Sequence, residues 1–155
     1  MKAKEQNKEK AMKNKRIYVL IAETDNWFKN RLIDVLHKAE EEMEGVSLHI
    51  TEANSLAEIG DVLKENTPHI ALIEHTYFVK KPDVKQIATL LEGSKKKCEV
   101  VMLISHEINQ KIYNAIENIN NFRSLQLSGH LLKENYSRDL IKMLLKFLIK
   151  RVFIN

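Results

Sequence analysis

The sequence predicts an α/β fold, a three-layer sandwich in which a five-stranded parallel sheet carries helices on both faces. Three observations predict it. Short apolar runs alternate with amphipathic stretches along the body of the chain, in the order βαβαβαβαβα. Three of those runs, 17–22, 70–73 and 100–104, are apolar throughout, as strands covered on both faces must be. Only four glycines and two prolines occur among 155 residues, which excludes collagen-like and loop-dominated scaffolds.

The elements follow in order. Residues 1–15 lack apolar periodicity and are rich in Lys, Asn, Gln and Glu, so they read as a disordered basic tail or frayed helix, with the folded domain over 16–155. The run 17–22 leads through Glu-Thr-Asp-Asn into a helix with Trp27, Phe28, Leu32, Val35, Leu36, Ala39 and Met43 on its inner face. Lys29, Asp34, Lys38 and Glu41 lie on its outer face, and Gly45 ends it. Residues 46–53 alternate apolar and polar, as a more peripheral strand does. Asn54 or Ser55 caps a helix with Leu56, Ile59, Val62 and Leu63 inward, and Pro68 blocks its continuation. After the 70–73 strand and a loop holding Pro82, a short helix is expected near 83–91. A helix carrying Ile108, Ile112, Ala115, Ile116 and Ile119 follows the 100–104 strand. A weaker strand at 127–132 and a long helix from Ser137 to about Phe153 close the domain.

Composition narrows the function. The formal charge is +4, but residues 1–16 hold seven Lys/Arg against two Glu, so the remaining 139 residues sum to −1. The basic character therefore belongs to the tail, and nucleic acid is not the expected partner of the folded body. The single cysteine, Cys98, forms no internal disulfide and no Cys-based zinc site, which makes a reducing, cytoplasmic setting the expectation. No apolar h-region of a secretory signal follows the basic N-terminus, and no stretch of about 18 apolar residues spans a membrane.

In an open parallel sheet, chemistry collects outside the carboxyl ends of the strands. Here those ends carry Glu23-Thr24-Asp25, Glu74-His75, Ser105-His106 and Lys133-Glu134. Glu74 with Lys133 is explained most simply as an ion pair at the rim. His75 and His106 near Glu23, Asp25 and Glu74 are a candidate set for Zn²⁺ or Fe²⁺, without a supporting HxH or HxxxE spacing. Ser105 beside His106 lacks a GxSxG elbow, and neither GxGxxG nor GxxxxGK[ST] occurs. Lys95-Lys96-Lys97 reads as a solvated turn.

From residue 16 to about 150 the chain resembles the receiver domains of two-component response regulators. RIYVLIAETDN is similar to the first strand and acidic pair of that family, with Glu23 and Thr24 at the metal-binding acid positions and Asp25 just after. PHIALIEH is similar to the third strand, where Glu74 stands at the position of the phosphorylated aspartate. VVMLISH places Ser105 at the switch hydroxyl. GHLLKEN places His130 at the switch aromatic and Lys133 at the lysine, with Glu134 where the family has proline. The resemblance implies the flavodoxin-like strand order 2-1-3-4-5. The stretch from Ser105 to Lys133 is several residues longer than the family's.

The departures imply an atypical receiver, or pseudo-receiver, that is not an enzyme. The family's chemistry needs an aspartate in line with a Mg²⁺-held phosphoryl group. Glu74 is one methylene longer, a displacement of about 1 Å that such geometry does not tolerate. Thr24 removes a metal-binding charge, so no cofactor is expected and Mg²⁺ binding should be weak or absent. The longer Glu74 instead reaches toward Lys133 and Ser105 and fixes one conformation. The alternatives are a small metal-binding protein or enzyme using the acidic and histidine rim, and a conventional phospho-switched receiver acting through Asp25.

The last helix suggests a partner surface. Arg138, Lys142, Lys146 and Lys150 recur every four residues, either as a solvated face or as a docking stripe for an acidic partner. Met143, Phe147 and Ile149 widen its apolar arc beyond what one sheet face covers. In the family, the face made by the fourth helix, fifth strand and fifth helix is the usual surface for a homodimer or a protein partner, and the same is expected here.

Overall fold

The computed structural model describes residues 15–105, 109–122, 124–134 and 137–154. Its strands are β1 (Lys15–Ala22), β2 (Val46–Glu52), β3 (Ile70–Glu74), β4 (Glu99–Ile104) and β5 (Leu127–Leu132). Its helices are α1 (Asn26–Glu42), α2 (Leu56–Glu65), α3 (Lys81–Glu92), α4 (Gln110–Asn120) and α5 (Arg138–Ile154), with a 3₁₀ turn at His75–Phe78. All strands are parallel, in the order β2-β1-β3-β4-β5. Residues 1–14, which make up nearly all of the expected tail, and the expected site or helix residues His106 and Ile108 lie outside the described residues.

Strand periodicity divides the core in two. Ile17, Val19 and Ile21 of β1, Ile70 and Leu72 of β3, and Val101 and Leu103 of β4 pack against α1 and α5. The alternate residues Leu20, Ala22, Ala71, Ile73, Val100, Met102 and Ile104 pack on the other face with residues of α2, α3 and α4. Each fully buried aliphatic side chain contributes about 1.5–3 kcal/mol, so these two clusters supply most of the driving force for folding.

Local signals fix the boundaries. Asp25 caps α1, its carboxylate accepting from the backbone N–H groups of Trp27 at 3.0 Å and Phe28 at 3.3 Å. Ser55 caps α2 by accepting from Glu58 N–H at 3.1 Å. Helix α1 stops at Glu42, and Gly45, at φ 77°, turns the chain into β2. Helix α3 is longer than the expected 83–91 because Pro82 sits in its first turn, where no intrahelical N–H is needed.

Several helix-face expectations need correction. Trp27 is 58% exposed while its neighbour Phe28 is buried, and the Arg31 guanidinium lies 5.3 Å from the Trp27 ring centroid. Ile116 is also exposed, and the polar Asn118 takes an inward position on α4 with Ile112, Ala115 and Ile119. Its amide donates to the carbonyls of Phe78 at 3.0 Å and Val79 at 2.8 Å, pinning the turn that follows β3. On α5, Leu140 is exposed, whereas Ile149, expected in the outer arc, is fully buried. Lys29, expected outside α1, folds down to an ion pair with Glu52 at 3.0 Å.

Asn118→Ala removes the donor to both carbonyls. It should lower the unfolding free energy by about 1–3 kcal/mol in urea denaturation, with the m-value unchanged.

Candidate functional site

The parallel register pairs Ala22 with Ile73, so the next residues, Glu23 and Glu74, emerge together at the carboxyl end of the sheet. Lys133 leaves β5 beside them, its N–H donating to the Ile104 carbonyl at 2.9 Å. Its ammonium lies 2.6 Å from Glu23 Oε1 and 3.7 Å from Glu74 Oε2. It also lies 5.6 Å from the Phe28 ring centroid. The expected pairing of Lys133 with Glu74 is therefore the secondary contact, because Glu23 is closer.

Hydroxyl donors saturate Glu74. Thr24 Oγ1 donates to its two oxygens at 3.1 and 3.2 Å, Thr24 N–H at 3.4 Å, and Thr76 Oγ1 at 2.7 Å. Glu23 is fully buried; its Oε1 also accepts from Asp25 N–H at 3.0 Å, while its Oε2 has no donor. Burial, followed by the hydrogen bond with Glu74, pushes Glu23 up to about 7. Burial also acts upward on Glu74, but hydrogen bonds from Glu23, Thr76 and Thr24 outweigh it and hold Glu74 below the usual carboxylate range. The two neighbouring carboxyl groups thus shift in opposite directions, Glu23 toward the protonated form and Glu74 toward the ionised one. A buried pair of like charges separates its titrations in this way.

The remaining rim residues behave differently from one another. The Asp25 carboxylate turns away to cap α1, so only its backbone N–H joins the cluster. Ser105 follows β4 and is half-buried, and among the described residues no hydrogen bond joins it to Glu74 or Lys133. His130 is exposed on β5, across from Met102. His75 is buried, and desolvation holds its imidazole below the ordinary value. Among the described residues no three His, Cys, Asp or Glu side chains are grouped to hold a metal ion.

This donor set does not fit the Mg²⁺ site that the fold suggests. The Lys133 ammonium already lies between the two carboxyl groups, and the Thr24 hydroxyl points its proton at Glu74. The Asp25 oxygen that could add negative charge is engaged by helix N–H groups. Thr76 is the member of the cluster that sequence reasoning missed; its one signal is a hydroxyl two residues after Glu74.

The basic stripe of α5 is also corrected. Lys142 pairs with Glu42 at 2.9 Å and Lys146 pairs with the same carboxylate, because α1 and α5 lie side by side on one face of the sheet. Hydrogen bonds from Lys146 and Lys142 pull Glu42 down to about 2. Arg138 and Lys150 stay exposed. The larger surface feature is apolar: Leu140, Met143 and Phe147 of α5, Tyr113 and Ile116 of α4, and Leu132 of β5 are all exposed.

No protein-family model matches the chain, and no curated protein matches its sequence. Solved structures do match its fold. A CheY-like response regulator receiver domain from Methanospirillum hungatei is 16% identical, covering 89% of this chain and 98% of its own at a TM-score of 0.60. A response regulator described as putative from Chloroflexus aurantiacus is 15% identical, covering 88% of this chain and 100% of its own at 0.61. The receiver domain of a sensor histidine kinase from Pseudomonas aeruginosa, with magnesium coordinated in its active-site cleft, is 9% identical, covering 86% and 98% at 0.59. The chain has the CheY-like, flavodoxin-type receiver fold. No helix among the described residues is long and apolar enough to cross a membrane.

The Glu23 proton predicts a pH slope. The folded state holds a proton up to about pH 7, whereas an unfolded glutamate releases it near 4.5. The stability it contributes is complete below the unfolded value and is lost as pH rises through the folded one. Chemical denaturation should show the wild type losing about 1–3 kcal/mol between pH 5 and 8, while Glu23→Gln, which mimics the protonated form, stays flatter.

Proposed function

We propose that this chain is a pseudo-receiver, a regulatory module that works by protein–protein contact, without phosphorylation and without catalysis. One observation carries the reading. The side chain at the phospho-acceptor position is a glutamate whose oxygens already accept from Thr24 and Thr76, with Lys133 alongside. A nucleophile needs a free lone pair in line with the phosphoryl group, and a switch needs partners to exchange. Glu74 offers neither. Its contacts act as a permanent substitute for the modified state, holding β1, β3 and the start of the β5–α5 loop together. Glu23, Thr24 and Lys133 are the support of that pocket; Ser105 and His130 are the switch positions, and among the described residues no hydrogen bond links either to Glu74.

The output surface in this reading is the exposed apolar set on α4, β5 and α5, centred on Met143 and Phe147. It takes a protein partner or a second copy of the chain. Apolar contact drives such association, and Arg138 and Lys150 at its border bias it toward acidic neighbours.

Incubation with acetyl phosphate and Mg²⁺, read by intact-mass spectrometry, should add no phosphoryl group to the wild type. The double variant Thr24→Asp with Glu74→Asp should gain one. Robust labelling of the wild type would sink the proposal. In sedimentation, Met143→Glu with Phe147→Glu should abolish whatever self-association the wild type shows while leaving the thermal midpoint within a few degrees, since both positions are exposed.

A further inference from the structure

A cavity of about 580 Å³ lies at the amino ends of the strands, the end of the sheet opposite Glu74. A recess of about 350 Å³ shares Lys95, Lys96, Lys97 and Glu99 with it. Arg151 lines the larger space and Lys15 the smaller. Glu99 is the one acid among the residues lining either.

The cations outnumber what Glu99 requires. That carboxylate is 3% exposed and is satisfied by Arg151 at 3.3 Å, Lys97 at 3.6 Å and the Ser128 hydroxyl. Lys95 and Lys96 make no ion pair among the described residues, and the Lys96 ammonium rests 5.0 Å from the Tyr18 ring centroid. A structural ion network would need Arg151 alone. The excess positive field registers on His69 in the wall of the recess: burial, then Lys96 and Lys15, hold its imidazole down to about 4. It stays neutral and accepts from Tyr18 N–H at 3.0 Å.

The cavity is not uniformly charged. Leu91, Val100 and Leu127 form an apolar wall, with Gln126 beside it. Its volume lies within the range of small-molecule sites, about 300–1,000 Å³. Cations and apolar side chains in one lining suit an amphiphilic anion, since lysine and arginine hold phosphate oxygens by charge-assisted hydrogen bonds.

We propose that this cavity binds a phosphorylated small molecule with a compact apolar body, of the nucleoside phosphate type. Its phosphates meet Lys95, Lys97 and Arg151, and its body lies against Leu91, Val100 and Leu127. Such a site is independent of the Glu74 pocket.

The full chain is titrated with ATP, pyrophosphate and adenosine by calorimetry, and the site is located by amide chemical shifts. ATP is expected to bind saturably, with shifts at residues 94–100 and 126–128. Pyrophosphate should be weaker, and adenosine at least about tenfold weaker, since charge-assisted contacts supply much of the affinity. Lys95→Ala with Lys97→Ala, both exposed positions, should weaken ATP about tenfold at an unchanged thermal midpoint, whereas Lys8→Ala with Lys10→Ala should not. No saturable binding at about 5 mM ATP overturns the proposal, as does equal loss in the Lys8 and Lys10 variant. A single-stranded oligonucleotide that binds more tightly than ATP and displaces it overturns it in favour of a polyanion surface.

Discussion

Two carboxyl groups leave neighbouring parallel strands at the same height, and one ammonium must serve both. Glu23 and Glu74 are buried, so leaving both ionised beside each other would cost several kcal/mol. The protein answers this with the Lys133 ammonium 2.6 Å from Glu23, hydroxyls from Thr24 and Thr76 on Glu74, and an upward shift of the Glu23 carboxyl to about 7 caused first by burial. Every other feature of the rim follows from that constraint. Thr24 donates to Glu74. Asp25 keeps its carboxylate for the helix and lends only its N–H. Lys133 is drawn inward over Phe28, which joins the β5–α5 loop to the first turn of α1. The cluster therefore joins three strand ends.

The turn after β3 is held from a second side. Thr76 belongs to the rim cluster, while two residues further on Phe78 is fully buried and its carbonyl accepts from Asn118 of α4. The segment after β3 is thus tied to α4 as well as to the rim. The two ends of the sheet differ in kind: acids at the carboxyl ends are neutralised internally, whereas lysines at the amino ends exceed their one buried acid.

Much of the fold was legible in the sequence. The fully apolar runs identified β1, β3 and β4, because residues at both parities are buried only when both faces are covered. The acidic cluster holding Asp25, and Ser55, act locally, so they marked helix starts within a residue or two, whereas Pro82, read as loop, lies in the first turn of α3. The strand order came from family resemblance, since pairing partners leave no local trace. The face expectations that failed include Trp27 and Ile116: they have the right period, but periodicity does not say how much of a helix face its neighbours cover. Asn118 broke the apolar pattern because its partners, the carbonyls of Phe78 and Val79, are 40 and 39 residues away.

The site divides the same way. The sequence alone determined which chemical groups stand at the strand ends: Glu23, Thr24, Glu74, Ser105 and Lys133, with a glutamate where the resembling family has an aspartate. It also determined that the body is near neutral and that its last helix carries surplus apolar residues. Only the tertiary structure decided who pairs with whom. It gave Lys133 to Glu23 before Glu74, brought Thr76 onto Glu74, and joined Lys142 and Lys146 to Glu42. The physical reason is distance in the chain. Capping and periodicity act over a few residues, whereas an ion pair 110 residues apart, such as Lys133 with Glu23, exists only once the sheet has set its register.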